Sequence, residues 1–144
     1  MVRATTLVLA LLLSPVSASA ATLNLICIGS ASIDPSATIM TTPNEHRYNI
    51  DEAVTIRLNE DNTGEARVPR KLLPPVRYGH DGWYKLIKVK RTDNEITGVV
   101  RFNEYNKPRL RLDRITGLIT LQGPNGDFSG RCEPYDPATV QRKF

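Results

Sequence analysis

The second half of the chain consists of short runs in which apolar and polar residues alternate, separated by turn-forming residues, and this pattern is typical of β-structure. Residues that lie directly opposite each other in an antiparallel hairpin must point to the same face. The runs can be paired so that this rule holds through four successive turns. A slip of one residue in any turn would turn a strand's apolar side chains towards water. The pattern therefore predicts a five-strand antiparallel meander from Trp83 to Cys132.

The predicted pairings define one buried face. They place Val89 opposite Ile96, Phe102 opposite Leu110, Leu112 opposite Ile119, and Leu121 opposite Phe128. Lys85 falls on this apolar face together with Trp83 and Ile87, which indicates a bulge or weaker burial in the first strand of the meander.

The first half of the chain is less regular but adds strands before the meander. The predicted ones are Thr22 to Ile28, Tyr48 to Leu58 with a bulge at Asp51-Glu52, and Glu65 to Val68. Two long connections, residues 30–45 and 69–82, carry apolar side chains that favour packing over disorder. The total is about eight strands, a common number for a small barrel.

The two cysteines occur in the first and the last predicted strand, as Cys27 and Cys132. Two are too few for a disulfide-dense miniprotein or a structural zinc site. A disulfide requires Cα atoms within about 7 Å, so it would bring the two ends of the sheet together. We therefore predict an all-β fold, an antiparallel meander closed into a small barrel by a Cys27–Cys132 disulfide. A two-sheet β-sandwich with the bond between its layers is the alternative.

The first twenty residues have the pattern of an export signal. Arg3 precedes an apolar run, Leu7 to Leu13, and the small residues Ala18-Ser19-Ala20 suit cleavage after Ala20. The run is shorter than the roughly 18–20 apolar residues that cross a membrane, so no transmembrane segment is expected once the signal is removed. We predict a signal peptide over residues 1–20 and a single β domain over residues 21–144. The expected location is the periplasm or the exterior, where cysteines are oxidised.

Basic residues form the best-defined candidate binding site. In the predicted register Arg101 and Arg111 lie opposite each other on the outward face, close to Arg109, and Lys88, Lys90 and Lys107 could extend this stripe. Guanidinium groups match carboxylate and phosphate geometry, which favours an envelope polyanion such as lipopolysaccharide phosphates or an acidic protein. The alternative is a solvated face neutralised by nearby acids. Nucleic acid is not expected, because aromatic residues that stack on bases do not alternate with these arginines.

Two other surfaces could bind a partner. Trp83 and Phe102 project inward in the predicted register and could line a pocket for a small apolar ligand, although the same residues suit ordinary core packing. The proline-rich segment Pro69 to Val76 could project as a stiff loop that docks on a partner, as in an inhibitor. In the alternative interpretation Leu72, Leu73 and Val76 plug one end of the barrel.

The sequence contains no Gly-x-Ser-x-Gly or His-Glu-x-x-His motif and no phosphate-binding glycine-rich loop. His80 and Asp81 are expected to build the turn before Trp83 rather than half of a catalytic triad. We therefore expect no catalytic residue, no metal and no cofactor. A small hydrolase using Asp51, Glu52 and His80 is the alternative.

Several short segments resemble a recurrent pattern in other proteins. They are Leu25-Ile26-Cys27-Ile28-Gly29, Asp113-Arg114 through Gly117, Gly130-Arg131-Cys132 and the closing Lys143-Phe144. Together they resemble uncharacterised small exported proteins of proteobacteria that have an N-terminal Cys strand and a C-terminal Gly-x-Cys strand. The resemblance implies a location in the bacterial envelope and no particular activity. We predict an exported, non-catalytic binding or interaction protein of the bacterial cell envelope, with an inhibitor of an envelope enzyme as an alternative.

Overall fold

The structure is a computed structural model of the 144-residue chain and describes residues 22–34 and 48–139. The described part contains eight strands: β1 Leu23–Ile33, β2 Tyr48–Leu58, β3 Gly64–Arg67, β4 Trp83–Arg91, β5 Glu95–Val100, β6 Arg109–Asp113, β7 Leu118–Gly123 and β8 Gly126–Pro134. A 3₁₀ turn at Arg70–Leu72 lies between β3 and β4. The predicted signal peptide, most of the connection 30–45 and the C-terminal end lie outside the described residues.

The eight strands form a closed antiparallel barrel in sequence order, and β8 returns to pair with β1. This confirms the predicted barrel and excludes the sandwich alternative. The predicted disulfide is also confirmed. Cys27 and Cys132 are directly opposite each other in the β1–β8 pair, with their Cα atoms 3.8 Å apart.

The β1–β8 pair is the seam at which the barrel closes, and the two strands approach closely there. Gly29 lies opposite Gly130, next to the disulfide. A Cβ atom on Gly29 would lie 2.0 Å from the carbonyl oxygen of Ser129, a distance that side-chain carbons do not adopt. The two glycines therefore allow an approach that larger residues would prevent.

The barrel interior is filled by side chains. Its largest fully buried members include Phe102, Phe128 and Leu58. The cavity lined by Leu25, Leu86 and neighbouring apolar residues has a volume of only about 10 Å³. A single ordered water needs about that much room and polar partners as well, so this interior space does not admit a ligand. Phe102 therefore belongs to ordinary core packing.

The two ends of the barrel differ in their connections. At one end, here called the turn end, the connections are residues 59–63, 92–94 and 114–117. At the other, the loop end, they include the longer residues 68–82 and 101–108. The loop end also contains the two-residue turn between β7 and β8, so the two ends differ through the two long connections.

Leu72 closes the loop end. It is only 3% exposed and approaches Gly126, which begins β8. Leu73 is half-buried against the core, whereas Val76 is 69% exposed. The prediction that this segment plugs one end is confirmed for Leu72, but for Val76 it is wrong, because the chain has turned outward by that residue.

The last two predicted pairings, Leu112 with Ile119 and Leu121 with Phe128, are confirmed. The pairing of Phe102 with Leu110 is wrong, because Leu110 pairs with Gly98. The hairpin opens into a loop, residues 101–108, wider than the predicted turn. The predicted pairing is shifted along β5 by an even number of residues. The side chains predicted to be buried in β5 and β6 therefore still face the interior.

β4 contains a bulge that places two of its residues, Lys88 and Val89, opposite the single residue Gly98 of β5. Tyr84 and Leu86 are buried before the bulge. The extra residue reverses the alternation, so that Val89 packs against the core and Lys88 faces solvent.

Because of the bulge, the inward face predicted for the first half of β4 is wrong. Trp83 points outward rather than into the barrel, and Ile96 pairs with Arg91 rather than with Val89. The expectation of a bulge, drawn from Lys85 on the apolar face, is confirmed.

The bulge predicted at Asp51-Glu52 is wrong. β2 pairs with β1 without interruption from Tyr48 to Leu58. The two acids lie on opposite faces of a regular strand, because adjacent residues of a strand alternate.

Candidate functional site

The predicted basic stripe is present on the outside of the barrel, but without Arg101 and Lys107. Arg111 lies between Thr97 of β5 and Thr120 of β7, so it does not face Arg101. Arg101 lies beyond the end of β5, where it is ion-paired with Glu104. This ion pair lowers the pKa of the Glu104 carboxyl, with a further contribution from Lys107. The predicted opposition of Arg101 and Arg111 is therefore wrong.

The cations that share a surface with Arg111 are Arg109 on the same strand and two lysines brought there by the bulge in β4. They line one groove of about 710 Å³ with Thr97, Thr120 and Gln122. We call this surface the basic face and define it by Lys88, Lys90, Arg109 and Arg111.

The spacing of the basic face follows from sheet geometry. Arg109 and Arg111 are two residues apart on β6, about 7 Å along the strand. Lys90 and Arg111 both pair with Thr97, from opposite sides, so their backbones are about 10 Å apart across the sheet. Charges distributed in this way suit a partner that carries several separated anionic groups.

Few acids neutralise the basic face. Glu95 accepts a hydrogen bond from Arg111 over 3.2 Å. The side chains of Lys88, Lys90 and Arg109 form no hydrogen bond or ion pair with the residues that the structure describes. The predicted alternative, in which nearby acids neutralise this surface, holds for Arg111 alone.

The Lys88 backbone has a left-handed conformation, with φ of 54°. For a residue with a Cβ atom this costs roughly 1 kcal/mol. Without the extra residue, positions 88 and 90 would share the inward parity of Tyr84 and Leu86. The bulge is what turns both lysines outward.

The two aromatic residues predicted to bind a ligand both pack against other side chains of the protein instead. Phe102 is 1% exposed, and its ring meets that of Tyr84 edge to face at 4.9 Å. Trp83 lies on the outer surface under the Arg57 guanidinium, 3.9 Å from its ring centre. Arg57 is also 3.7 Å from Glu65, so a cation–π contact and an ion pair already cover this surface.

Asn103 organises the loop end, and the sequence prediction did not identify it. It is the buried polar residue of the described core, at 8% exposure. Its amide donates to the Val76 carbonyl at 2.6 Å, and its Oδ1 accepts from the backbone N–H groups of Tyr105 and Asn106. Asparagine bonding to the backbone two and three residues on is a turn signal that the sequence does carry.

A second groove, of about 980 Å³, lies beside the loop end. We call it the arginine groove, after Arg67, Arg70 and Arg77 in its lining. The side chains of Arg67 and Arg70 make no hydrogen bond or ion pair within residues 22–34 and 48–139. Asp81 is the acid of its lining.

The residues of the hydrolase alternative are not assembled. Asp51 and Glu52 point to opposite faces of β2, so they cannot share a substrate. His80 and Trp83 close a tight hairpin through two backbone hydrogen bonds, with Asp81 and Gly82 at positive φ between them. The prediction that His80 and Asp81 build this turn is confirmed.

Neither a metal cluster nor a membrane-crossing helix occurs in the described part of the chain. No group of three or more His, Cys, Asp or Glu residues there could hold a metal ion. No helix among the same residues is long and apolar enough to span a bilayer.

Comparisons of the chain with protein-family models, with curated proteins and with solved structures found no match. The geometry and charge of the chain's own residues therefore carry the functional conclusion. The Cys27–Cys132 disulfide is compatible with an oxidising compartment.

Proposed function

We propose that the protein is an exported, non-catalytic binding protein of the bacterial envelope that holds a polyanion on its basic face. The proposal depends on the cluster of four cations in one groove. Only one of the four, Arg111, is paired with a carboxylate among the described residues. The class of ligand is an envelope polymer or glycolipid with repeated phosphate or carboxylate groups, such as lipopolysaccharide.

Electrostatics favours this class of ligand. Like charges on neighbouring strands repel each other, and a bound anion relieves that repulsion. Arg109 offers a free planar fork that can bind a phosphate or carboxylate through two hydrogen bonds. Lys88 and Lys90 add point charges that attract anions from a distance without demanding one geometry.

The strained backbone at Lys88 supports the same assignment. A glycine at this position would adopt φ of 54° at no steric cost, yet the chain has a lysine there. Strained residues and bulges are concentrated at functional sites, where the altered direction of a side chain is used.

The non-catalytic part of the proposal has its own support. Asp51 and Glu52 lie on opposite faces of β2, and His80 is part of the tight turn before Trp83, so the residues of the hydrolase alternative do not form a common site. Export is supported by the signal-like first twenty residues and by the disulfide.

The test compares two double variants that remove the same net charge. We expect Lys90→Ser/Arg109→Ser to weaken binding to purified lipopolysaccharide and to inorganic polyphosphate by about tenfold, equivalent to about 1.4 kcal/mol. The control, Lys71→Ser/Lys85→Ser, changes two exposed lysines outside the basic face and should leave binding within about twofold. Binding is measured by isothermal titration calorimetry at about 50 mM and about 300 mM NaCl, and the wild-type affinity should fall at the higher salt.

Two results would contradict the proposal. If the wild-type protein bound neither probe at low salt, the basic face would be a solvated surface. If the two double variants lost affinity equally, net charge rather than this groove would explain the binding.

A further inference from the structure

Two connections of the loop end expose a large side chain at three positions. Val76 is 69% exposed, Tyr78 is 55% exposed and Tyr105 is 97% exposed. They come from two different connections, residues 68–82 and 101–108. We call these three residues the loop-end patch.

The two connections are held together, so the patch is not an accident of two independent loops. The backbone N–H of Tyr78 donates to the Phe102 carbonyl at 2.6 Å. The Asn103 amide donates to the Val76 carbonyl, also at 2.6 Å. The same Asn103 side chain fixes the turn that presents Tyr105. The loop-end patch is therefore anchored to the barrel through the buried residues Phe102 and Asn103.

Such an arrangement favours binding to another protein. Tyrosine buries a large area at a small cost in side-chain entropy, and tyrosine and arginine are enriched among the residues that dominate protein interfaces. A loop already fixed in its bound conformation loses little freedom when it docks. Prolines at 74 and 75 stiffen the chain next to Val76 in the same way.

The charge beside the patch indicates the chemistry of the partner. Arg77 lies between Val76 and Tyr78 in the chain, and its guanidinium bonds to the carbonyls of Pro74 and Pro75. Arg67 and Arg70 complete the arginine groove along the same side of the barrel. Three arginines against one acid, Asp81, fit a partner whose binding site is bordered by carboxylates.

We propose that the loop end is a docking surface for a second, different protein that presents an apolar cleft bordered by Asp or Glu side chains. The loop-end patch enters the cleft, and the arginine groove meets its acidic border. A second copy of this chain is disfavoured, because its arginine groove would meet the same positive charge. The proposal goes beyond polyanion binding and uses no residue of the basic face.

The experiment places a photo-reactive benzoylphenylalanine at position 105 of the full chain, expressed in its native cells. Tyr105 is 97% exposed, so this replacement does not disturb the core. A matched control carries the same group at Ile115, which is 75% exposed at the turn end. After irradiation, we expect position 105 to form a covalent adduct with one other protein, and position 115 to form none.

The adduct must also depend on the neighbouring residues. We expect Arg77→Glu, and separately Tyr78→Ala, to reduce its yield at least about fivefold. Lys90→Ser/Arg109→Ser should leave the yield unchanged, which separates this proposal from the basic face. Mass spectrometry of the adduct should place the cross-link in a cleft that contains carboxylates.

Four outcomes would overturn the proposal. They are an absence of adduct above the Ile115 control, an adduct between two copies of this chain, a cross-link to lipid alone, and a protein adduct whose yield does not respond to Arg77→Glu. Circular dichroism of each variant establishes that the barrel is intact, and Lys71→Ala serves as the charge control outside the arginine groove.

Discussion

The two ends of the barrel use arginine in different ways. At the turn end, arginine side chains donate to backbone carbonyls of neighbouring turns: Arg91 to Asn59, Arg114 to Thr92 and Arg131 to Thr116. At the loop end a neutral amide, that of Asn103, joins the connections. Arg67 and Arg70 remain unbonded there among the residues that the structure describes.

The acids of the two ends bond to different kinds of group: at the loop end, Glu104 pairs with the side chains of Arg101 and Lys107. At the turn end the Asp113 carboxylate accepts hydrogen bonds from the backbone N–H groups of Ile115 and Thr116. The Asp61 carboxylate accepts hydrogen bonds from the backbone N–H and the side-chain hydroxyl of Thr63. These groups are used to hold the turns. The comparison teaches that the charges named at the turn end hold its turns. The loop end has bonded charges as well, such as Arg77 and Glu104, but its Arg67 and Arg70 bond to no described residue, like most cations of the basic face. Both proposed binding surfaces contain such unused cations.

The largest effect is expected from the disulfide that closes the barrel. The Cys27→Ala/Cys132→Ala variant should lose about 4–5 kcal/mol of unfolding free energy, because the bond closes a loop of 105 residues in the unfolded chain. Urea unfolding measures the loss, and hydrogen exchange should report it equally at both ends. If exchange rose at one end alone, the barrel would not be a single cooperative unit. A total loss below about 1 kcal/mol would contradict the entropic argument.

Two variants, one at each end of the barrel, should lose different, smaller amounts of unfolding free energy. Asn103→Ala removes three hydrogen bonds from a buried site and should lower the unfolding free energy by about 2 kcal/mol. Arg114→Ala is the matched change at the turn end, where the side chain is exposed, and should cost about 0.5 kcal/mol. Thermal unfolding of both variants checks the order. Equal losses would show that the loop end is not held by its buried amide.

The smallest expected effect is the pH dependence of the stability of the turns at the turn end. Hydrogen bonds from Thr116 and Ile115 hold the pKa of Asp113 below its ordinary 3.8, and those from Thr63 do the same for Asp61. Their stabilisation is therefore complete above that pH and is lost as the pH falls through the lowered pKa values. At the loop end Asn103 does not titrate over this range, and Glu104, whose pKa is also lowered, bonds to the side chains of Arg101 and Lys107 rather than to backbone N–H groups.

We therefore expect acidification below about pH 4 to lower the protection of the turn-end amides, relative to their intrinsic exchange rates at the same pH, before it lowers that of Tyr105 and Asn106. The measurement is hydrogen exchange followed by NMR from pH 6 to about pH 3. Asp113→Asn should abolish most of the pH response at Thr116. Simultaneous loosening of both ends would erase the proposed difference in how they are held.

The sequence was sufficient for the fold and for the regular hairpins. Alternation and turn length predicted the pairs Leu112–Ile119 and Leu121–Phe128 because tight turns leave one register that buries the apolar face. The two cysteines predicted closure, since strands that carry a disulfide must be adjacent.

The candidate site was predictable only in part, because it depends on two irregularities. The bulge at Lys88 and Val89 changes which residues in the second half of β4 point into the barrel. In the sequence, only the position of Lys85 on the predicted apolar face indicated it. The loop 101–108 opens the β5–β6 hairpin early because its backbone bonds to Asn103, so Arg101 has no partner in β6, although its N–H still bonds to Lys85 of β4. Local hydrogen bonds of this kind compete with strand pairing and are not visible in hydrophobic periodicity.

The seam between β1 and β8 sets an order of events during synthesis. β1 is made first and β8 last among these strands, so one side of β1 has no neighbour until almost the whole chain exists. An incomplete chain would carry an open strand edge and an unpaired thiol at Cys27, both of which invite aggregation or wrong cross-links. Folding to the finished barrel therefore waits for the last strand, and a chain cut short before Cys132 has no route to it.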